Sequence, residues 1–163
     1  MPLIDLHARN PLKDGRQSAR AMQIRRGVQA FLADLGAVTL PEVTLATGRR
    51  ADIMALHRDG TIWIVEIKSS VEDMKADSKW PDYRAWCDRF FFASLADVPQ
   101  TVFPDDCGFM LADAHGAEML RDAPEHKLAA ARRKTVTLRF AQTAAQRLRA
   151  AELAGVELPG DDA

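Results

Sequence analysis

The sequence predicts a single α/β domain in which a mixed central β-sheet is flanked by helices. Three observations support this fold class: the length and composition, the alternation of helical and strand-like segments, and one strongly apolar run. The 163 residues are 47% hydrophobic, which is typical of one globular domain with one core. From Ile62 to Ile67 the apolar residues occupy both faces of a strand, as expected for a central strand that is covered on both sides.

Before this run, the chain predicts a helix and an edge strand. Apolar residues between Ala21 and Leu35 follow helical spacing, and Gly36 is expected to end the helix. Residues 38–46 contain β-branched and alternating apolar residues. Pro41 interrupts them and cannot donate to a ladder, so this strand is expected at the edge of the sheet.

A hairpin follows, and the length of its loop decides which side chains share a face. A two-residue turn at Asp59-Gly60 would pair Ile53 with Glu66, whereas a three-residue loop ending at Gly60 pairs Asp52 with Glu66. Three-residue hairpin loops commonly place glycine in the left-handed conformation at their last position. We therefore expect the three-residue loop.

The segment after the hairpin predicts two short helices beside the end of the central strand. Ser69 and Ser70 are candidate caps for an acidic first turn at residues 71–74. Pro81 fits the first turn of a second helix that ends at Trp86, with Ser78 as its candidate cap.

The last third predicts a strand at residues 89–94, a loop at 98–107, a hairpin of 108–112 with 117–120, and a final helix. Thr135 or Thr137 is the expected cap of that helix, and Arg147 is expected away from its apolar face. The predicted apolar face comprises Leu138, Ala141, Ala144, Ala145 and Leu148. We expect an irregular arm at residues 1–15, one domain at 16–154 and a flexible tail at 155–163.

Composition restricts the classes of function. The formal net charge of -1 provides no overall attraction to nucleic acid, so any DNA binding requires local basic patches. Cys87 and Cys107 have no CxxC spacing, which predicts reduced thiols in a cytoplasmic protein and no zinc site. No apolar run reaches the length of a membrane span.

The hairpin carries the candidate site. Glu66 and Lys68 are two residues apart and face the same side of a strand, and the three-residue loop places Asp52 opposite Glu66. Two carboxylates at that separation repel each other unless a positive charge lies between them, and a hard divalent cation meets that need. Lys68 could hold a water nucleophile or balance phosphate charge. The alternative is a solvated hairpin face with an ordinary Glu/Lys pair.

At these residues the chain resembles known families. Asp52 followed by Glu66-Ile67-Lys68 resembles the D...(D/E)XK signature of the PD-(D/E)XK nuclease superfamily, with Ala51 where the signature has proline. The resemblance to the MmcB family of bacterial DNA repair proteins extends from about Arg20 to Leu148. It is carried by the segments Arg49-Arg50-Ala51-Asp52, Val65-Glu66-Ile67-Lys68-Ser69-Ser70, Asp77-Ser78-Lys79-Trp80-Pro81-Asp82-Tyr83 and Cys87-Asp88-Arg89-Phe90-Phe91-Phe92-Ala93.

The resemblance implies a restriction-endonuclease-like core and a metal-dependent DNA endonuclease-like protein that acts in DNA repair. In that reading Asp52, Glu66 and the backbone carbonyl of Ile67 hold Mg²⁺ or Mn²⁺, and Lys68 positions the attacking water. Superfamily members often take a secondary catalytic residue from the helix after the Glu-x-Lys strand. The candidates at that place are Lys79, Asp82 and Tyr83.

The expected partners are DNA and other DNA repair proteins, with no membrane. Arg49 and Arg50 could contact the phosphodiester or pair with nearby acids. The basic run Arg132-Arg133-Lys134 could grip the DNA backbone or form a solvated face. A non-cleaving DNA-binding or partner-docking module with the same fold is the alternative function. Both a monomer and a homodimer are compatible with the sequence.

Overall fold

The computed structural model describes residues 18–160, so the predicted arm at 1–15 and the last residues of the predicted tail lie outside it. The α-helices described are α1 (Ala19–Asp34), α2 (Val71–Ala76) and α3 (Ala130–Leu153), and 3₁₀ helices span Trp80–Trp86 and Gln100–Val102. The strands described are β1 (Val38–Thr44), β2 (Arg50–Leu56), β3 (Ile62–Ile67), β4 (Arg89–Ser94), β5 (Gly108–Ala112) and β6 (Ala117–Arg121). Among these helices, none combines the length and apolar character that a membrane span requires.

The strands form one mixed six-stranded sheet in the order β1-β2-β3-β4-β5-β6. The β1/β2, β2/β3 and β5/β6 pairs are antiparallel, whereas β3/β4 and β4/β5 are parallel. The predicted fold class is confirmed, as is the position of β3 within the sheet. Parallel pairing places the ends of β3 and β4 at the same edge, where the segment after β3 meets the end of β4.

Helices cover the two faces of the sheet, and the alternation of side chains along each strand divides the core accordingly. α1 packs on one face, where the buried side chains include Ile24, Val28, Leu32, Ile53, Val65 and Phe91. The other face is covered by α3 and the 3₁₀ helix Trp80–Trp86, and its buried side chains include Met54, Ile64, Phe90, Phe92, Val136 and Phe140. Asp52 and Glu66 alternate in step with Met54 and Ile64, so they belong to this second face.

The β2–β3 loop has the three-residue form that the sequence predicts. The His57 N–H donates to the Thr61 carbonyl over 2.9 Å, and the Gly60 N–H donates to the His57 carbonyl over 3.0 Å. Gly60 has a φ of 86°, a conformation that favours glycine. The ladder pairs Leu56 with Ile62 and Ile53 with Val65, and the next residues in that register are Asp52 and Glu66.

The predicted helix at Pro81 forms, but as a 3₁₀ helix, and Ser78 is not its cap. Pro81 lies in the first turn, as expected, and Lys79 at the N-cap position makes no side-chain hydrogen bond. The amides of Lys79 and Trp80 instead donate to Oδ1 of Asp77, over 2.8 and 3.1 Å. The expectation at Ser70 is confirmed, since its hydroxyl accepts from the Asp73 N–H at the start of α2.

The final helix differs most from its prediction. It begins at Ala130 with Ala129 at the N-cap, so Thr135 and Thr137 lie inside it and the predicted caps are wrong. The predicted apolar face is also wrong, because Leu138 and Leu148 are about half exposed. The buried side chains are Val136 and Phe140, and Arg147 continues their side of the helix. Because the helix is rich in alanine, its predicted face and its buried face have similar hydrophobicity. Packing against the sheet determines which of the two is buried.

Candidate active site

The β2–β3 ladder opens at Asp52 and Glu66, and each carboxylate binds the backbone of the opposite strand. The Ile67 N–H donates to Oδ2 of Asp52 over 2.8 Å, and the Asp52 N–H donates to Oε1 of Glu66 over 3.0 Å. These two hydrogen bonds cross the gap beyond Ile53 and Val65, where the ladder between the two strands ends. The two carboxylates are therefore held side by side at one end of the hairpin.

Glu66 is buried and Asp52 beside it is partly buried, which excludes a solvated hairpin face as the description of this pair. Glu66 is only 4% exposed. Burial, together with the charge of Asp52, raises the pKa of Glu66 well above its ordinary value. Burial likewise raises the pKa of Asp52, against the opposing effect of the Ile67 N–H and the Lys68 charge. Two like charges in a desolvated site require either a shared proton or a cation to be stable.

Lys68 completes the sequence-predicted set and lies beside the carboxylates, whose pKa values its charge lowers. Its Nζ donates to Oδ2 of Asp77 over 2.5 Å, and both side chains are largely buried, with 11% and 16% exposed. The structure thus brings Asp52, Glu66 and Lys68 together on one face, as the three-residue loop predicts.

Asp77 is a residue of this site that the sequence reasoning missed. Its two carboxylate oxygens have separate partners, since Oδ2 accepts from Lys68 and Oδ1 accepts from the first amides of the 3₁₀ helix. Burial opposes ionisation, but these hydrogen bonds outweigh it and hold the pKa of Asp77 below its usual range. The sequence pattern favoured Ser78 as the cap of this helix, so it indicated neither the capping role of Asp77 nor its contact with Lys68.

Glu42 is a second missed residue, and it stands opposite Asp52 in the β1/β2 register. Its φ of 52° makes it the non-glycine residue with positive φ within residues 18–160. The Glu42 charge contributes to the raised pKa of Asp52, and its carboxylate lies 3.6 Å from Arg50. Nothing in the local sequence signals this conformation, because glutamate rarely adopts it.

Arg147 of α3 supports the distorted backbone at Glu42. Its guanidinium donates to the carbonyl oxygens of Pro41 and Glu42, the second over 2.8 Å. A buried carbonyl without a donor would be costly, so this contact stabilises the irregular edge of β1. It also joins the last helix to the strand that lies beside Asp52.

Among the other candidates near the site, all but Lys79 are already engaged by the protein. Arg49 pairs with Asp82 over 2.8 Å, so of the two alternatives for Arg49 the structure contains the acid pair. Arg50 likewise lies near an acid, Glu42. The hydroxyl of Tyr83 donates to the Arg50 carbonyl over 2.8 Å, and burial and the surrounding carboxylates raise the pKa of Tyr83. The Lys79 side chain is exposed.

Arg132, Arg133 and Lys134 are not brought to the carboxylates. Arg133 makes two hydrogen bonds to Asp88, over 2.8 and 2.6 Å, and a third to the Gly60 carbonyl at the tip of the hairpin. Asp88 lies beside Ile62 at the start of β3, six residues from Lys68 and therefore about 20 Å away. The basic run is not a rim of the candidate site, and Arg133 is an internal ion-pair partner.

The donor set fits a hard divalent cation that retains water ligands. Within residues 18–160, no three His, Cys, Asp or Glu side chains are arranged as a complete metal cage. Mg²⁺ characteristically binds through one or two carboxylates and completes its shell with water and substrate phosphate. Asp52 and Glu66 each use one oxygen for a backbone amide and keep a second oxygen for such a cation.

Comparisons with known proteins agree with this architecture. A protein of unknown function from Silicibacter pomeroyi, SPO1766, has a similar solved structure with a TM-score of 0.80. It is 43% identical in sequence, and the match covers 83% of this chain and 93% of that chain. No curated protein matches the chain. The family described as DNA repair protein MmcB-like matches residues 8–155, and by that match the chain belongs to the MmcB-like family of DNA repair proteins.

Proposed function

We propose that the protein is a divalent-metal-dependent nuclease of the PD-(D/E)XK type, which hydrolyses phosphodiester bonds of DNA during repair. The observation that carries the proposal is the side-by-side pair of Asp52 and Glu66 at the open end of the hairpin, where burial raises the pKa of both carboxyls. Two like charges held side by side in a desolvated site are costly, so this arrangement favours a ligand that neutralises them.

In this proposal Asp52 and Glu66 bind Mg²⁺ or Mn²⁺, with the Ile67 carbonyl as a further ligand. The bound ion would supply positive charge at the scissile phosphate and increase the acidity of water. The reciprocal backbone hydrogen bonds hold both carboxylates in place before the ion arrives, which reduces the reorganisation required on binding.

Lys68 is proposed to orient the attacking water and to balance charge on the phosphate. Its ammonium has three N–H donors, and Asp77 accepts one of them. The remaining donors are available to a water or a phosphate oxygen. Asp77 is proposed as a positioning residue, because it fixes Lys68 through one oxygen and the 3₁₀ helix through the other.

A non-cleaving DNA-binding or partner-docking module remains the second candidate, and one observation favours it. Asp77 already neutralises Lys68, and each carboxylate of the pair already accepts a backbone hydrogen bond. A site satisfied by the protein itself could be retained for the stability of the fold. The two candidates differ in whether a cation binds and whether a product forms.

Calorimetric titration with Mn²⁺ tests the proposal when it is combined with cleavage of labelled single-stranded, duplex and branched DNA. Glu66→Gln is the matched variant, since its amide oxygen can still accept the Asp52 N–H. The proposal expects metal binding and cleavage in the wild type and neither in the variant. Metal binding without cleavage of any of these DNAs would contradict a DNA nuclease. Preferential cleavage of RNA of the same sequence would also contradict it. No metal binding would favour the second candidate.

A further inference from the structure

A groove of about 620 Å³ lies at the end of the sheet away from the carboxylates. One wall is the end of the 3₁₀ helix at Trp86, and the other comprises the segment before α3 and its first turns. Its principal side chains are Trp86, His126, Lys127, Leu128 and Arg132, and we refer to it as the basic groove. Its volume lies in the range of pockets that hold small organic ligands, which is about 300–1,000 Å³.

Arg132 lies over the indole ring of Trp86, with its guanidinium carbon 4.7 Å from the ring centroid. A hydrogen bond of 3.0 Å from Arg132 to the Ala85 carbonyl holds the guanidinium there. The two groups therefore form a stack of a planar cation on an aromatic ring at the wall of the groove. Planar guanidinium and indole surfaces are the platforms on which nucleic-acid bases stack when they leave a duplex.

The lining of the groove is positively charged, and two of its cations have no acidic partner in the part of the chain that the structure describes. Arg132 and Lys127 have no ion-pair partner among residues 18–160, and the groove's described lining contains no acidic side chain. Arg84, which also lines the groove, pairs with Asp106, and Arg133 outside the groove pairs with Asp88. His126 and Lys127 are exposed on the wall that faces Trp86. The free cations thus select an anionic ligand, and the stack selects one with a planar ring.

We propose that the basic groove binds one nucleotide unit of an unpaired DNA strand, with its phosphate at Lys127 and Arg132 and its base against the Arg132–Trp86 stack. A base in a duplex remains stacked on its neighbours and cannot enter the groove without leaving the helix. The groove therefore adds a second contact, about 20 Å from the proposed cleavage site. The inference rests on the proposed function only in its choice of DNA as the nucleic acid.

Anisotropy of a short fluorescent oligothymidylate, measured without divalent metal, tests the inference separately from cleavage. Arg132→Gln should weaken binding about tenfold and reduce the slope of log affinity against log salt by about one. Arg139→Gln is the matched control, because it removes one exposed cation from the same helix outside the groove. Equal losses in both variants, or no loss in Arg132→Gln, would overturn the proposal.

Intrinsic tryptophan fluorescence shows whether the groove binds a DNA strand, a free nucleotide or phosphate alone. The oligonucleotide should quench the tryptophan emission of the wild type, and this quenching should be absent in Trp86→Phe. Thymidine monophosphate should quench at higher concentration, and inorganic phosphate should not quench. Quenching that persists in Trp86→Phe, or a duplex of equal length that binds as tightly, would exclude an unpaired base in the groove. Because both measurements are made without divalent metal and without a cleavage step, a failure of the nuclease proposal leaves their results unaffected.

Discussion

Lys68 and Asp77 form an ion pair whose N–O distance is 2.5 Å, and the same carboxylate caps the 3₁₀ helix that covers the site. One aspartate therefore links the end of β3 to the helix that shields the carboxylates. In the proposed nuclease, this contact sets the position of the Lys68 ammonium relative to Asp52 and Glu66. The consequences can be measured because the two oxygens of Asp77 have different partners.

Asp77→Asn should lower kcat about 10- to 100-fold while leaving KM and metal affinity close to their wild-type values. The amide oxygen can still accept from Lys79 and Trp80, so the helix cap persists while the charge opposite Lys68 is lost. Steady-state cleavage kinetics provide the measurement. Asp122→Asn, which removes a surface carboxylate paired with Arg89, is the control. A loss confined to folding stability would show that Asp77 has only a capping role.

Glu66→Gln should stabilise the metal-free protein at neutral pH. A carboxyl whose pKa is raised by folding binds more protons in the folded state, so the contribution of Glu66 to wild-type stability falls as pH rises above about 4.3, the unfolded pKa. The cost is about 1.4 kcal/mol for each unit by which the two pKa values differ. Urea unfolding at pH 4 and pH 7.5 in a chelator should show that the difference in unfolding free energy between Glu66→Gln and the wild type increases with pH. A difference that does not change with pH would mean that ionisation of Glu66 does not destabilise the folded protein.

Millimolar Mg²⁺ should raise the unfolding temperature of the wild type at pH 7.5 and have little effect on Glu66→Gln. A ligand that binds the folded state stabilises it in proportion to the logarithm of its concentration over Kd, by about 2.7 kcal/mol at one hundred times Kd. Scanning calorimetry at several Mg²⁺ concentrations provides the measurement. The same stabilisation in both proteins would place the cation elsewhere.

Arg147→Gln should destabilise the fold by about 2 kcal/mol, because it removes charged donors from the carbonyls of Pro41 and Glu42. Arg149→Gln changes the same charge at an exposed position of α3 and should stay within about 0.5 kcal/mol of the wild type. Urea denaturation gives both values. Equal effects would mean that Arg147 does not support the distorted strand at Glu42.

Arg133→Gln should destabilise the protein by about 3 kcal/mol near neutral pH, since it leaves the buried Asp88 carboxylate without its cation. Burial opposes ionisation of Asp88, but hydrogen bonds from Arg133, Ile62 and Leu128 keep its pKa below the usual range. The stabilisation is therefore present above about pH 3.9 and disappears as pH falls through the lower folded pKa.

Unfolding of Arg133→Gln at pH 7 and pH 3 should accordingly differ less than unfolding of the wild type. Lys134→Gln, an exposed neighbour, serves as the control for loss of one charge from the basic run. A large loss of DNA affinity in Arg133→Gln with unchanged stability would instead indicate that Arg133 contacts DNA.

Local sequence determined the order of the elements and the register of the central hairpin. The loop length and Gly60 set the pairing of β2 with β3, and the two-residue period of a strand then places Asp52, Glu66 and Lys68 on one face. The capping position of Ser70 and the strand at residues 89–94 were likewise predicted from nearby residues. These features depend on short-range geometry, which does not require contacts with distant parts of the chain.

Tertiary structure alone decided the supporting contacts. Asp77 reaches Lys68, Arg133 reaches Asp88 across 45 residues, and Arg147 reaches Pro41 across 106 residues. The face of α3 that is buried depends on how the helix crosses the sheet, since its alanines and leucines permit more than one face. Side-chain partners distant in sequence are selected by the packing of whole elements, and hydrophobic periodicity specifies that packing only in part.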